Sequence, residues 1–387
     1  MSPHSEELQR VLGEIGSGYV SLIGPPGCGK STLLATGVLP APRAVVIRYT
    51  AYVPNEGQGL GRAEAFDFLH DVVTQLKQSG VGAEIIPGKE LAELHAQLET
   101  LLLEAAKRYG ADGIRTLIVI DGLDHVPRQE RPGRSFLSEL PLPQAVPEGV
   151  VFVLGTQRLE LDEIAPAVVS QAGQGRRCVK VRPLTREAVR RLADLAGVPD
   201  DVDGDALYAR TSGHPLSARY AIGALLGAGT PDARRASLQE GPSYGGDVDV
   251  YYERAWLDIE RDPNARRALA YLSLAEGPIA VSSLDRLVGP ESTDAAWRAA
   301  GHLLVRDSQN AWAVFHNSFR LFLRDRTGLR HGMSDLGAVR ARYRELAELA
   351  RDADPEDPQR WLELRYRARA DDQSAVASLA SSERYRG

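Results

Sequence analysis

Near the start of the chain stand nine consecutive residues, Gly24-Pro25-Pro26-Gly27-Cys28-Gly29-Lys30-Ser31-Thr32, with the spacing G-x-x-x-x-G-K-[ST] at Gly24, Gly29, Lys30 and Ser31. Each residue type has a physical task. Glycines let the backbone curl so that several N–H groups point at one phosphate. A helix that starts here adds the partial positive charge of its N-terminus. Lys30 is a point charge able to reach the β- and γ-phosphates of a nucleotide, and Ser31 offers its hydroxyl oxygen to Mg²⁺. Cys28 occupies a variable position of the pattern and reads as incidental rather than redox-active.

A phosphate loop needs a carboxylate for the metal at the end of another strand. Residues 116–125, Thr-Leu-Ile-Val-Ile-Asp-Gly-Leu-Asp-His, offer one. Asp121 follows four apolar residues and is expected to face Mg²⁺ through a water. Asp124 is placed either to polarise an attacking water or to cap a turn. Residues 151–158 form a further buried run that ends in Thr156, Gln157 and Arg158. In doubly wound sheets ligands sit outside the carboxyl ends of strands, so these three are candidates to sense the γ-phosphate. Each is equally readable as a solvated residue after a strand.

These groups need strands to carry them. Residues 19–23, 44–49, 116–120 and 150–154 are short, apolar and β-branched, and helical patterns alternate with them. That alternation predicts a parallel sheet covered on both faces. One helical stripe runs through Leu91, Leu94, Leu98, Leu101, Leu102 and Ala105, another through Phe66, Leu69, Val72, Val73 and Leu76. From residue 183 the pattern becomes helical: Thr185 is a predicted N-cap, followed by a stripe through Val189, Leu192 and Leu195. Residues 227–248, rich in Gly, Pro, Ser and Asp, read as a loop or linker. Residues 251–327 are helical with a short apolar run at 311–315, consistent with a winged helix. Beyond residue 332 the chain is helical and highly charged.

The predicted architecture is an α/β P-loop NTPase with a three-layer parallel sheet over residues 1–180. A helical segment (181–247), a winged-helix domain (248–332) and a short helical tail (333–387) follow; the family that these motifs resemble implies that the first is a lid and leaves the tail readable as the start of a helical sensor region.

Residues 24–32, then Ile120-Asp121-Gly122-Leu123-Asp124, then 154–158, together resemble the STAND NTPases, signal-transduction ATPases of the AAA+ type. Within these the chain is most similar to the NACHT-like branch, in which a small residue follows the metal carboxylate and an acid stands two places further on. Residues 140–150 also resemble that branch. Thr211-Ser-Gly213-His214-Pro215-Leu216 resembles the family's G-x-P motif in the lid, which implies that Pro215 packs on the adenine ring. The segment containing Phe315, His316 and Phe319 resembles the winged-helix motif, which implies that His316 touches the β-phosphate of ADP and locks a closed state. From the residues alone, Gly213-x-Pro215 is a helix start with proline in the first turn, and His316 is a polar residue before an amphipathic helix. The resemblance covers about residues 5–330.

Two departures from the family pattern carry expectations. His125 stands where many members have a second acid, which argues against fast hydrolysis. Only about 20 residues precede the loop, and the helical tail is short for a sensor. Effector and sensor regions are therefore expected to be absent from this chain, which reads as an excised module or a small stand-alone member.

The resemblance implies a nucleotide switch. ADP holds lid and winged helix closed, ATP exchange releases them and exposes an oligomerisation surface, and slow ATP hydrolysis resets the state. Lys30, Asp121, Asp124 and Arg158 would carry the chemistry, with Ser31 and Asp121 on Mg²⁺. An antiviral or stress-sensing role is a family implication. Three other readings compete with this one. An initiator-like AAA+ protein would bind DNA through a basic winged helix, but residues 251–323 hold eight arginines against nine acids. A P-loop kinase needs an acceptor pocket and base that the helical half does not offer. A GTPase needs an [NT]-K-x-D motif that is missing, which favours adenine.

Composition agrees. At roughly 100–200 residues per domain, 387 residues make two to four domains. The 46 basic and 52 acidic residues give a net charge of −6, a poor start for a non-specific nucleic-acid binder. Two cysteines, Cys28 and Cys178, exclude a disulfide framework and a Cys-based metal cluster. The apolar runs are too short to span a bilayer and residues 1–10 lack the pattern of a secretory signal, so a cytoplasmic location is expected.

Overall fold

The computed structural model describes residues 3–51, 62–82, 88–128, 133–241, 243–330, 332–353 and 357–382. They form two compact units, one up to Pro183 and one from Leu184 onward. Among the described residues no helix is long and apolar enough to cross a membrane.

The first unit runs α1 (Pro3–Glu14), β1 (Gly18–Ile23), α2 (Lys30–Gly37), β2 (Ala44–Thr50), α3 (Ala65–Gln78), α4 (Leu91–Asp112), β3 (Arg115–Asp121), β4 (Val150–Thr156), α5 (Pro166–Ala172) and β5 (Cys178–Lys180). The five strands are parallel, in the order β2-β3-β4-β1-β5. Period-two alternation sends successive side chains to opposite faces. Ile118, Ile120, Phe152 and Leu154 pack on one face with Phe68 and Leu69 of α3 and Leu94 and Leu98 of α4. Leu117, Val119, Val151 and Val153 pack on the other with Leu8 of α1 and Leu34 of α2. Helices on both faces make the predicted three layers and explain why β4 is buried at every residue.

One sequence expectation is corrected here, and one strand is new. The buried stripe of α3 is Ala65, Phe68, Leu69, Val72, Val73 and Leu76, whereas Phe66 is 40% exposed. Phe68 completes the regular i, i+3, i+4 spacing and stacks on Phe136 with ring centroids 4.9 Å apart. β5 was not anticipated because its three residues bury only Val179, too little to form a pattern.

The second unit contains α6 (Arg186–Leu195), α7 (Gly204–Thr211), α8 (Pro215–Gly227), α9 (Pro231–Glu240), α10 (Val248–Arg261), α11 (Pro263–Leu274), β6 (Ile279–Ala280), α12 (Val281–Val288) and α13 (Pro290–Ala300). It continues with β7 (Leu304–Arg306), β8 (Ala311–Val314), α14 (Asn317–Thr327), β9 (Leu329–Arg330), β10 (Met333–Ser334), α15 (Leu336–Arg351), α16 (Leu362–Arg369) and α17 (Gln373–Ala380). Strands β6-β8-β7 form an antiparallel sheet, and β9 and β10 a two-stranded ribbon.

A small core joins α6, α7 and α8 through Val189, Leu207, Ile222 and Leu225. A larger one includes Tyr220, Tyr252, Trp256, Leu269, Trp312 and Phe319, and also Tyr343, Leu346, Tyr366 and Ala370. Residues of α15 and α16 thus share a core with α10 to α14. Thr185 caps α6 as predicted, accepting the Ala188 N–H at 3.2 Å. Its buried face, however, is Val189 and Ala193; Leu192 and Leu195 point outward, Leu195 being 77% exposed. The expected 227–248 loop is likewise corrected: it contains α9, capped by Thr230. No residue of α9 is buried, so it has no apolar stripe by which to be recognised.

Candidate functional site

The register aligns the carboxyl ends of the strands: Ile23 lies opposite Thr156, Asp121 opposite Gly155, and Thr50 opposite Asp121. Residues 24–29, including Gly24, Pro25, Pro26 and Gly27, form the turn from β1 to α2. Gly29, the N-cap of α2, has φ 95°. That left-handed conformation favours glycine, and Gly29 has no side chain to cap the first turn. Ser31 and Thr32 are exposed in that turn. The helix start therefore presents backbone N–H groups and positive partial charge, which suits an anion.

Cys28 fills the inside of the loop. Burial pushes its thiol pKa up, so it is a packed thiol rather than a reactive one. Cys28 and Cys178 are both free. Lys30 is folded under the loop: Nζ donates to Gly24 O at 2.8 Å and Pro25 O at 3.0 Å.

Asp121 ends β3 and is buried, and its Oδ1 has no hydrogen-bond partner. Burial raises its carboxyl pKa, opposed by the nearby Ser31 hydroxyl and by the charge of Lys30. A buried carboxylate oxygen without a donor is costly, and a divalent cation satisfies it. Ser31 and Asp121 are oxygen donors of the kind Mg²⁺ takes, and Mg²⁺ is commonly held by one or two protein groups plus phosphates. The residues thus fit the metal. Among the described residues no cluster of three or more His, Cys, Asp or Glu could hold a metal by itself, so the phosphates would have to complete the coordination.

Gly155 is a part of this site that the sequence reading passed over. A Cβ there would lie 2.5 Å from Asp121 Oδ1 and 2.6 Å from Leu34 Cδ1. Only glycine leaves Asp121 its place, and the available signal was a glycine inside an otherwise apolar strand.

Asp124 is buried in a short 3₁₀ turn, and both of its oxygens accept from one residue. The Gln157 backbone N–H bonds Oδ1 at 3.2 Å and Gln157 Nε2 bonds Oδ2 at 2.6 Å. His125 Nε2 stands 3.9 Å from Oδ2. Thr156 turns its hydroxyl onto Arg158 O at 2.7 Å, and Arg158 itself is exposed. Lys30, Ser31, Asp121, Asp124 and Gln157 thus lie together at the carboxyl ends of β1, β3 and β4.

Pro215 and His316 belong to the second unit. Pro215 is the first residue of α8, and His214 caps that helix by accepting the Ser217 N–H at 3.3 Å. His316 caps α14, its Nδ1 accepting the Ser318 N–H at 3.2 Å. Arg219, also unanticipated, lies over the Phe315 ring at 4.0 Å.

A parallel sheet with β4 between β1 and β3, a glycine-rich loop leading into a helix at Lys30, and a carboxylate at the end of β3 define a P-loop nucleoside triphosphatase core. Residues 15–165 match the family described as AAA domain. The chain is similar to a STAND protein with a tetratricopeptide repeat sensor from Pyrococcus horikoshii, with 15% identity and a TM-score of 0.47 over 100% of this chain and 51% of that one. It is also similar to a Walker-type ATPase of Pyrococcus abyssi (14% identity, TM-score 0.42, 83% of this chain and 94% of that one). A third similar structure is the Aeropyrum pernix ORC1 protein in complex with DNA (17% identity, TM-score 0.36, 84% and 93%). The chain spans about half the length of the P. horikoshii protein. A comparison with curated proteins finds no match.

Proposed function

We propose that this chain is a STAND-type nucleotide switch that binds ATP and ADP with Mg²⁺ and hydrolyses ATP slowly. The observation that carries the reading is the partnerless, buried Oδ1 of Asp121, next to Ser31 at the start of α2. Leaving such an oxygen unsatisfied costs about 1–3 kcal/mol, a cost that function explains and packing does not.

In this reading the loop N–H groups and the α2 N-terminus bind the phosphates. Lys30 exchanges the Gly24 and Pro25 carbonyls for phosphate oxygens. Ser31 and Asp121 hold Mg²⁺, which supplies neutralisation of the phosphate charge when bound. Asp124, held by Gln157, orients the water, and Arg158 meets the γ-phosphate. Pro215 packs on adenine and His316 donates to the β-phosphate of ADP, so the diphosphate favours closure of the lid and the 248–332 region. ATP favours release and self-association, because only differential contacts with the two states shift a population. With His125 in place of a second acid, turnover is slow. The role is in cytoplasmic signalling, with prokaryotic antiviral or stress defence as its setting.

The order α11-β6-α12-α13-β7-β8 supports the winged-helix reading of this region and keeps a DNA-binding initiator-like reading in view. The exposed face of α13 weighs against it: Glu291 and Asp294 accompany Arg298, and Asp307 lies in the β7–β8 turn. Acid extraction of the purified full chain and chromatography of the extract test the main reading: adenine nucleotide is expected. A nucleotide-free protein with salt-sensitive DNA binding would favour the alternative.

A further inference from the structure

We propose that Tyr220, Tyr252 and Ser318 form a positioning relay that presents His316 as an Nε2–H donor and ties that donor to helix α8. The inference rests on the reading that His316 meets a phosphate, and it states how the second unit would prepare it for that contact.

Four contacts make the chain. Ser318 N–H points at His316 Nδ1 at 3.2 Å, and Ser318 Oγ lies 2.7 Å from the same nitrogen. Tyr252 OH is 2.8 Å from Ser318 Oγ, and Tyr220 OH is 3.3 Å from Tyr252 OH.

The direction follows from the one group that has no choice. A backbone N–H can only donate, so Nδ1 is an acceptor and carries no proton. The neutral ring then bears its proton on Nε2. The Ser318 hydroxyl donates to Nδ1 as well, and its lone pairs take the Tyr252 O–H. The Tyr252 oxygen in turn accepts the Tyr220 O–H. Every donor points one way, from α8 through α10 to the start of α14. Burial keeps both phenols protonated, with Tyr252 pushed up to about 12 and Tyr220 well above its ordinary value.

Packing fixes the rings that carry these hydroxyls. Tyr220 lies 5.4 Å from the Tyr251 ring and Tyr252 4.9 Å from Phe319. A displacement of α8 against α10 therefore breaks the relay at its longest link, Tyr220 to Tyr252. The ligand group that suits the resulting Nε2–H is an anionic oxygen such as a phosphate oxygen. Because Tyr220 stands on the helix that Pro215 begins, the relay gives α8 and His316 a common response to one ligand.

The test uses the full chain with ¹⁵N-labelled histidine, the His316 signal being identified by its loss in His316→Gln. Long-range ¹⁵N–¹H correlation is expected to show the Nε2–H tautomer in the wild type, and the Nδ1 resonance is expected to move in Tyr252→Phe and Ser318→Ala, where the hydroxyl donor to that nitrogen is weakened or lost while the Ser318 N–H remains. Ser318→Thr, which keeps the hydroxyl, is expected to keep the wild-type Nδ1 resonance. Release of the fluorescent analogue mant-ADP, chased with ADP, is expected to quicken about fivefold in Tyr252→Phe, the worth of one neutral hydrogen bond. An Nδ1–H tautomer in the wild type, or a wild-type Nδ1 resonance and release rate in Tyr252→Phe, overturns the relay. If His316→Gln releases mant-ADP at the wild-type rate, the phosphate contact fails, and the Nδ1 measurement still decides the relay.

Discussion

Gln157, just beyond the end of β4, holds both carboxylate oxygens of Asp124, one with its backbone N–H at 3.2 Å and the other with Nε2 at 2.6 Å. Two strand ends, β3 and β4, are thereby joined through one acid. In the proposed mechanism this fixes the orientation of the group that meets the attacking water. Gln157→Leu removes the side-chain donor and keeps the backbone one. Single-turnover ATP hydrolysis is expected to slow about tenfold, the order lost with an outer partner that orients a functional group. The Kd for Mg-ADP stays within about twofold, since Asp124 is not a binding group. A weakened Kd with an unchanged rate would make the pair structural.

Asp121 sets a trade between stability and binding. Burial raises its carboxyl pKa, so the folded state disfavours the ionised form that the unfolded chain holds at neutral pH. The sign follows from linkage: stability is greatest below the unfolded pKa and falls as pH rises through it. Asp121→Asn is therefore expected to stabilise the nucleotide-free protein at pH 7 by about 1–3 kcal/mol and to abolish the further stabilisation by Mg²⁺ with ADP. Urea unfolding with and without the ligand pair checks both halves. Destabilisation of the nucleotide-free protein by Asp121→Asn would contradict the account.

Gly155→Ala places a Cβ 2.5 Å from Asp121 Oδ1 and 2.6 Å from Leu34 Cδ1. Leu34 belongs to a close-packed core and gives way only at a cost. The expected result is a loss of about 1–3 kcal/mol in stability together with weakened Mg²⁺-dependent ADP binding, read by titration calorimetry at several Mg²⁺ concentrations. Unchanged Mg²⁺ dependence would remove the packing constraint on Asp121.

His302 predicts an acid limb to stability. Its buried Nε2 has no hydrogen-bond partner, and burial lowers its pKa from 6.5 to about 4. Between those values the unfolded chain takes up a proton that the folded chain does not, so stability falls as pH drops from about 6.5 to about 4. The total is on the order of 3 kcal/mol at 1.36 kcal/mol per unit. His302→Leu is expected to flatten that limb relative to the wild type in urea titrations at pH 7, 5.5 and 4.5. Parallel curves would show that His302 takes up its proton without unfolding.

What was readable in the sequence follows the strength of local patterns. The loop at Gly24 to Thr32 and the strand before Asp121 are continuous motifs whose spacing alone carries their chemistry. The α4 stripe was legible because its apolar side chains repeat over several turns. Phe66 and Phe68 were confused because both are apolar and two positions apart, and only the ring contacts of Phe68 with Tyr49 and Phe136 distinguish them. Helix α9 escaped because a helix that buries no side chain leaves no periodicity. The Gln157–Asp124 pair and the closeness of Gly155 to Asp121 join residues more than 30 positions apart. Such contacts are products of sheet order, and of these residues only the glycine inside an apolar strand leaves a local mark.

The central claim, that residues 24–32 with Asp121 hold an adenine nucleotide and Mg²⁺, is tested most directly by titration calorimetry. Nucleotide-stripped wild-type and Lys30→Ala proteins are titrated with ATP and ADP, with and without Mg²⁺. The account predicts saturable, Mg²⁺-strengthened binding in the wild type and a loss of about a hundredfold in affinity in Lys30→Ala. Equal affinity in the two proteins would contradict it.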